Sequence, residues 1–339
     1  MVVGAGVGGP GSLDYAEAAG PLPTQRPDTW YAVYFTDPEQ EDMAGGPDEP
    51  LVAALDAARI SIEAAMYELD LWSIRDALLR AWRRGLDVRL VTDADYLENP
   101  EIQALIAAGI PVVPDRSDAI MHDKFVVIDR SQVWTGSMNF TVNGAYHNDN
   151  NLIWIDSPQL ARAYLAEFEE MFMDGLFGAA SPPGRGLRMD VNGTMVEVYF
   201  SPDDGAVRRI LELLSGAQTS IAFLAFSFTS DEISLAMLER AEAGVEVYGV
   251  FDDSQVRSNT GDEYDRLLQS GLPVYLDANP DKMHHKVIVI DGRIVITGSY
   301  NFSRSAETRN DENMLIVFSP EIAGLYLAEV ERVFALASR

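Results

Sequence analysis

The sequence predicts an α/β layered fold present twice in one chain, and three observations predict it. Met121-His-Asp-Lys-Phe-Val-Val-Ile-Asp129 recurs 162 residues later as Met283-His-His-Lys-Val-Ile-Val-Ile-Asp291, and the same spacing carries Thr135-Gly-Ser-Met-Asn-Phe140 onto Thr297-Gly-Ser-Tyr-Asn-Phe302. In each half, apolar strands alternate with amphipathic helices, the pattern of sheets covered by helices. A stretch rich in Pro and Gly, Ser181-Pro-Pro-Gly-Arg185, separates the two copies.

Residues 1–28 read as a flexible tail rich in Gly, Ala and Pro, in which Gly9-Pro10-Gly11-Ser12 resembles a cloning scar. The tail contains Gly-x-Gly-x-x-Gly (Gly4, Gly6, Gly9), but no strand of useful length precedes it and Pro10 stands where a helix should begin. It is set aside as a dinucleotide site. Repeat 1 is assigned to residues 29–180, a linker to 181–193 and repeat 2 to 194–339.

Each repeat reads as strand, helix, strand, helix, hairpin, helix. In repeat 1, Ser61 to Leu69 is an apolar strand, and Ser73 is expected to cap a helix carrying Ile74, Ala77, Leu78 and Ala81 that stops at Gly85. Val88 to Val91 forms the next strand, running to Asp93. Repeat 2 follows the same plan with Ser220 to Phe228, a helix carrying Ile233, Ala236, Met237 and Ala241 before Gly244, and Val245 to Phe251.

The runs from Lys124 and Lys286 are short, apolar and β-branched, so each motif starts a buried strand. Strand side chains alternate faces, which places His122 beside Lys124 and His284 beside Lys286, with Asp123 and His285 on the opposite face. Residue usage sharpens the point. Lys124, Lys282 and Lys286 are the only lysines, and 22 of the 25 basic residues are arginine. A chain that otherwise uses the planar guanidinium keeps a compact ammonium at both motif positions. Three of the four histidines, His122, His284 and His285, lie there as well.

His-x-Lys-x-x-x-x-Asp followed by Gly-Ser-x-Asn, found twice, resembles the phospholipase D superfamily. Both copies match, as His122, Lys124, Asp129, Gly136, Ser137 and Asn139, and as His284, Lys286, Asp291, Gly298, Ser299 and Asn301. The resemblance covers about residues 29 to 339. It implies two α/β sandwich domains related by a pseudo-two-fold axis with one shared active site, and hence a monomer. It further implies a metal-independent phosphodiesterase with no cofactor. One histidine would form a covalent phosphohistidine while the other protonates the leaving oxygen and then activates water. Lys124, Lys286, Ser137, Ser299, Asn139 and Asn301 would hold the phosphate oxygens. Asp129 and Asp291, beside turns at the far ends of their strands, are expected to be structural.

The copies differ where family members carry a carboxylate that orients the histidine. Repeat 2 has Glu312 and repeat 1 has Asn150. Glu312 is expected to support His284, and Asp149 or Asn150 to support His122. The nucleophile stays unassigned. Asp93, Asp95, Asp252 and Asp253 follow matching strands and read mainly as solvated loop residues, with cation binding as the other reading. His147 lies near the first motif.

The formal charge of −28 repels polyanions and anionic membranes at long range, yet an active site needs only a local positive patch. With no cysteine, disulfides and thiolate metal sites are excluded. No run is long enough to span a membrane and no signal peptide is evident; the compartment stays open, with a preference for outside the cytoplasm. The run Ser305 to Asn313 resembles the small bacterial nucleases of the superfamily, and Lys282, Arg304 and Arg309 flank the second motif. A nuclease acting on DNA or RNA is therefore the first expectation. A phospholipase D or phosphatidyl transferase is the second; it needs an apolar patch, for which Leu69 to Trp72 and Tyr300 are the candidates. Two intact motifs argue against a silent binding module.

Overall fold

The structure is a computed structural model and describes residues 29–40 and 43–339. The expected tail, residues 1–28, and its glycine motif lie outside them. The first half contributes strands β1 (Tyr31–Phe35), β2 (Ser61–Met66), β3 (Asp87–Asp93), β4 (Val112–Asp115), β5 (Lys124–Ile128), β6 (Gln132–Gly136) and β7 (Asn151–Asp156). The second contributes β8 (Leu187–Val191), β9 (Thr194–Ser201), β10 (Ser220–Ala225), β11 (Glu246–Phe251), β12 (Val274–Leu276), β13 (Lys286–Ile290), β14 (Ile294–Gly298) and β15 (Glu312–Phe318).

The strand orders are β1-β7-β6-β5-β2-β3-β4 and β12-β11-β10-β13-β14-β15-β9-β8. Within each sheet, the strands joined by a crossover helix are parallel and those joined by tight turns are antiparallel, as chain connectivity requires. The crossover helices Trp72–Arg83 and Asp231–Glu242 end before Gly85 and Gly244, whose φ of +86° and +91° are the left-handed values a helix C-terminus uses.

Two expectations need correction. Ser73 does not cap its helix; the chain enters it one residue earlier, at Trp72, and Ser73 Oγ donates instead to Asp48 Oδ2 at 2.7 Å. Residues 181–193 are not all linker, because β8 lies inside them and pairs antiparallel with β9. Asn192 and Gly193, both at positive φ, form the turn. Asn-Gly is the dipeptide that tight hairpin turns of this kind favour.

Alternation along β5 distributes its side chains between two cores. Phe125 and Val127 enter a central core shared with Tyr164 and Phe168 of the helix Pro158–Glu169, Val287 and Val289 of β13, and Tyr326 and Val330 of the helix Pro320–Ala337. Val126 and Ile128 enter the outer core under Trp72–Arg83, and Ile288 and Ile290 do the same in the second half. The two halves are thus joined through one continuous apolar core.

Asp129 and Asp291 end their strands at φ +53°. Asp129 accepts from the backbone N–H groups of Arg59, Ile60 and Ser61, and Asp291 from those of Gln218, Thr219 and Ser220. Each carboxylate ties the far end of a motif strand to the start of its neighbour. Asp291→Ala leaves those donors without their charged acceptor and is expected to cost about 2 kcal/mol of stability by urea unfolding.

Candidate active site

The motif strands reach the site through contacts that cross between the halves. His122 N–H donates to Asp311 O at 2.9 Å and Asp311 N–H to Ile120 O at 3.1 Å; in the twin position His284 N–H donates to Asp149 O at 2.9 Å and Asp149 N–H to Lys282 O at 2.9 Å. These reciprocal bridges set the start of each motif strand against the loop that precedes the last strand of the other half. Asp93 Oδ2 accepts from Met121 N–H, and Asp252 Oδ2 from Met283 N–H, so both brace a motif from within its own half. Among the described residues no group of acids and histidines is arranged to hold a metal ion. Asp95 donates its N–H to Asp93 Oδ1, and Asp253 its N–H to Asp277 Oδ1.

The crossing overturns the expected pairing. His122 Nδ1 lies 2.8 Å from Glu312 Oε2, and His284 Nδ1 lies 2.9 Å from Asn150 Oδ1. Each histidine takes its support from the other half because the pseudo-two-fold axis runs between them. Asp149 is occupied elsewhere, by Arg332 Nη2 and Asn279 Nδ2. Asn150 is fixed in turn: its Nδ2 donates to Gly144 O and its Oδ1 also accepts from Ser137 Oγ at 2.8 Å. With Asn150 Oδ1 an acceptor only, His284 carries its proton on Nδ1 and presents a bare Nε2.

Lys124 and Lys286 are buried, and each Nζ donates to the backbone carbonyl of its own motif histidine, His122 O or His284 O. The ammonium charges and the imidazoles feel one another across the halves. Burial first, then the charges of Lys124 and Lys286, push both histidines well below their ordinary value. Burial lowers Lys124 to about 8, against the pull of Glu312, and lowers Lys286 further with the charge of Lys124 adding to it. Burial lifts Glu312 to about 8, against the pull of Lys124 and Lys286. Two lysines and two imidazoles thus gather around Glu312, with Asp123, Glu68, Asp93 and Asp252 as the further acids whose charge reaches the lysines.

Asn139 Oδ1 and Asn301 Oδ1 are buried without a hydrogen-bond partner, so both amides are uncommitted. Rotating either by half a turn presents its NH2 instead. Glu312 Oε1 is buried without a hydrogen-bond partner, and Ser299 Oγ accepts from the Asn313 N–H of the adjacent strand. Gly136 and Gly298 allow this close approach: a Cβ at Gly298, where φ is +136°, would lie 2.2 Å from Asn313 O.

The sequence reading missed two walls of the site. The Tyr67 ring packs edge-on to His122 at 4.9 Å and Lys124 Nζ lies 4.9 Å from its centroid; Phe226 stands likewise 4.5 Å from both His284 and Lys286 Nζ. Tyr67 and Phe226 are 159 residues apart, the spacing that relates Asp93 to Asp252, and that correspondence was the available signal. His147 stays peripheral, its carbonyl accepting from Asn279. Of the apolar-patch residues, Leu69, Leu71 and Tyr300 are buried, Tyr300 donating to Glu307, and only Trp72 is exposed, at 64%.

The family model described as "Cardiolipin synthase, PLD-like domain" matches residues 51–172 and again 210–334. A mitochondrial cardiolipin hydrolase of Chlamydomonas reinhardtii is 28% identical over 180 residues, which are 46% of this chain and 79% of that protein. Its namesake from Xenopus laevis is 37% identical over 124 residues, 36% of this chain and 59% of that protein. The crystal structure of phosphatidylserine synthase from Haemophilus influenzae superposes with a TM-score of 0.67 at 14% identity, covering 89% of this chain and 86% of that one. At that identity the match speaks for the fold alone.

Proposed function

The chain belongs to the phospholipase D-like family in both of its halves, and from that premise we propose that it cleaves phospholipid phosphodiesters through a covalent phosphohistidine on His122. The observation that supports the chemistry is geometric: two imidazoles, two buried lysines and two amides with unpartnered oxygens gather around the crossed His122–Glu312 and His284–Asn150 pairs. A phosphodiester brings negative charge to these groups, and its binding raises the pKa of both histidines toward neutrality.

The unequal partners distribute the roles. Attack by His122 Nε2 on phosphorus places positive charge on that ring, and the Glu312 carboxylate at Nδ1 stabilises the charge as it develops. His284 is backed only by the Asn150 amide, which orients the ring without raising its basicity. A weakly basic imidazole, once protonated beside the bound anion, is the stronger acid, so His284 Nε2–H delivers the proton to the departing alcohol oxygen. In the second step His284 takes a proton from water, the water oxygen attacks phosphorus, and the bond to His122 breaks. Lys124 and Lys286 offset the charge on the non-bridging oxygens.

Phospholipid is placed ahead of nucleic acid, reversing the order of the sequence reading, because the curated relatives above are named for a phospholipid. The charge of −28 opposes nucleic acid and anionic membranes alike and does not separate the two. The test is turnover of cardiolipin and phosphatidylcholine vesicles beside single-stranded DNA and RNA, each in EDTA. Lipid cleavage unaffected by EDTA is expected. Cleavage of nucleic acid alone would overturn the substrate assignment, and a loss of all turnover in EDTA would overturn catalysis by these side chains alone.

A further inference from the structure

The pseudo-two-fold axis relates two seams between the halves, and their charges do not match. At the 162-residue spacing, Asp123 corresponds to His285, Glu167 to Glu329, Glu170 to Arg332 and Asp311 to Asp149. Around Asp149 the acids are neutralised: Arg332 Nη2 bonds Asp149 Oδ1 and Glu329 Oε1, and His285 Nε2 lies 3.1 Å from Glu329 Oε1. Burial would raise Glu329, yet the bonds from Arg332 and His285 hold its carboxyl below the ordinary value.

The seam around Asp311 has acids at those positions and gains another. Asp123 enters from the start of β5, Glu167 and Glu170 from the helix Pro158–Glu169 and its continuation, Asp203 from the turn after β9 and Asp311 from the loop before β15. Among the described residues none of the five forms an ion pair with Lys, Arg or His. Asp115, bonded to Ser117, and Asp204, accepting from Phe200 N–H, border the cluster with Glu312. Lys124 is the cation whose charge reaches Asp123. Asp123 and Asp311 are 0% and 1% exposed; one oxygen of each is bonded, Asp123 Oδ1 accepting from Asn313 Nδ2 and Asp311 Oδ1 from Gly178 N–H, while Asp123 Oδ2, Asp311 Oδ2, Asp203 Oδ1 and Glu170 Oε1 are buried without a hydrogen-bond partner. Buried ionised carboxylates in that state are costly, so something must neutralise them. The same protein supplies a guanidinium and an imidazole at the twin seam. Here no three carboxylates are set to chelate a metal ion.

We propose that Asp123, Glu167, Asp203 and Asp311 form a proton-holding cluster that keeps the His122–Glu312 seam closed and loosens it reversibly as the pH rises. The linkage follows the neighbourhood. Burial lifts Asp123 and Asp203 to about 7 and Asp311 to about 9, with the other carboxylates adding to it; Glu167 is raised well above its ordinary value for the same reasons. Groups raised on folding contribute stability that is complete below their unfolded pKa, falls as the pH rises above it, and is fully lost once the pH has passed the folded values, about 7 for Asp123 and Asp203 and about 9 for Asp311. Because His122 N–H is bonded to Asp311 O, this loss falls on the seam that carries His122.

The test is proton release on thermal unfolding of the whole chain near pH 8, measured by calorimetry in buffers of different ionisation enthalpy, together with the midpoint from about pH 6 to about pH 9. Wild type is expected to release at least one proton and to lose thermal stability steadily over that range. Asp123→His with Glu170→Arg, which installs the residues of the twin seam, is expected to flatten the profile, as is Asp311→Asn. Because Lys124, Lys286 and Glu312 also exchange protons on unfolding near pH 8, the difference between wild type and variant decides; should neither variant fold, Asp203→Asn, at the partly exposed edge of the cluster, takes their place. No difference in release, an unchanged slope in folded variants, or restoration of the alkaline midpoint by millimolar calcium or magnesium would overturn the proposal, the last in favour of a cation site.

Discussion

His122→Ala is expected to lose at least about four orders of magnitude in turnover on every substrate, whereas the effect of His284→Ala depends on the leaving group. With a natural alkoxide leaving group both variants lack an essential group, one the bond-forming nitrogen and the other the proton. With a nitrophenyl phosphodiester the departing phenolate needs no proton. His284→Ala is then expected to give a burst of one nitrophenolate per enzyme and stall, because the covalent intermediate lacks the base that activates water. His122→Ala is expected to give no burst. Rapid-quench kinetics on the two variants separates the roles, and a burst from His122→Ala but not from His284→Ala would reverse them.

Glu312→Gln is expected to reduce kcat by about 10² to 10⁴-fold while leaving KM nearly unchanged. The amide still accepts from His122 Nδ1–H, so ring orientation and tautomer survive. What disappears is the negative charge opposite the imidazolium that forms during attack. The pH profile carries the same signature. Glu312 must be ionised and Lys124 protonated, and both are placed at about 8. The kcat/KM of wild type is therefore expected to rise as Glu312 ionises and to fall as Lys286, lowered further, and then Lys124 lose their protons. In Glu312→Gln the acid limb disappears and the alkaline limb stays. Asn150→Asp acts in the opposite sense on His284: it raises the basicity of that ring and is expected to weaken it as an acid.

The duplication and the motif strands were legible because they are local. A repeated nine-residue run reports its own strand, and the left-handed glycines Gly85 and Gly244 report their helix ends. Those signals need no knowledge of the other half. The pairing of His122 with Glu312 was not legible, since Glu312 follows His284 within its own repeat and sequence distance favours that partner. Only the apposition of the halves, through His122 N–H to Asp311 O and its twin, decides that the support crosses over. Ser73 misled for a local reason: a serine near a helix start has the chemistry of a cap, but the helix already begins at Trp72, so Ser73 lies within its first turn and its hydroxyl donates to Asp48. The walls Tyr67 and Phe226 were hidden because an aromatic residue after an apolar strand is ordinarily core. The unequal seam charge depends on which acids the fold gathers around Asp311 and Asp149, and that apposition is not local in sequence.

The measurement that bears most directly on the crossed, unequal site is mapping of the covalent intermediate. Acid-sensitive phosphoryl adducts, trapped by alkaline quench during turnover of a phospholipid and located by peptide mass spectrometry, are expected on His122 and absent from His284. An adduct on His284, or none on either histidine under conditions where turnover is rapid, would contradict the account.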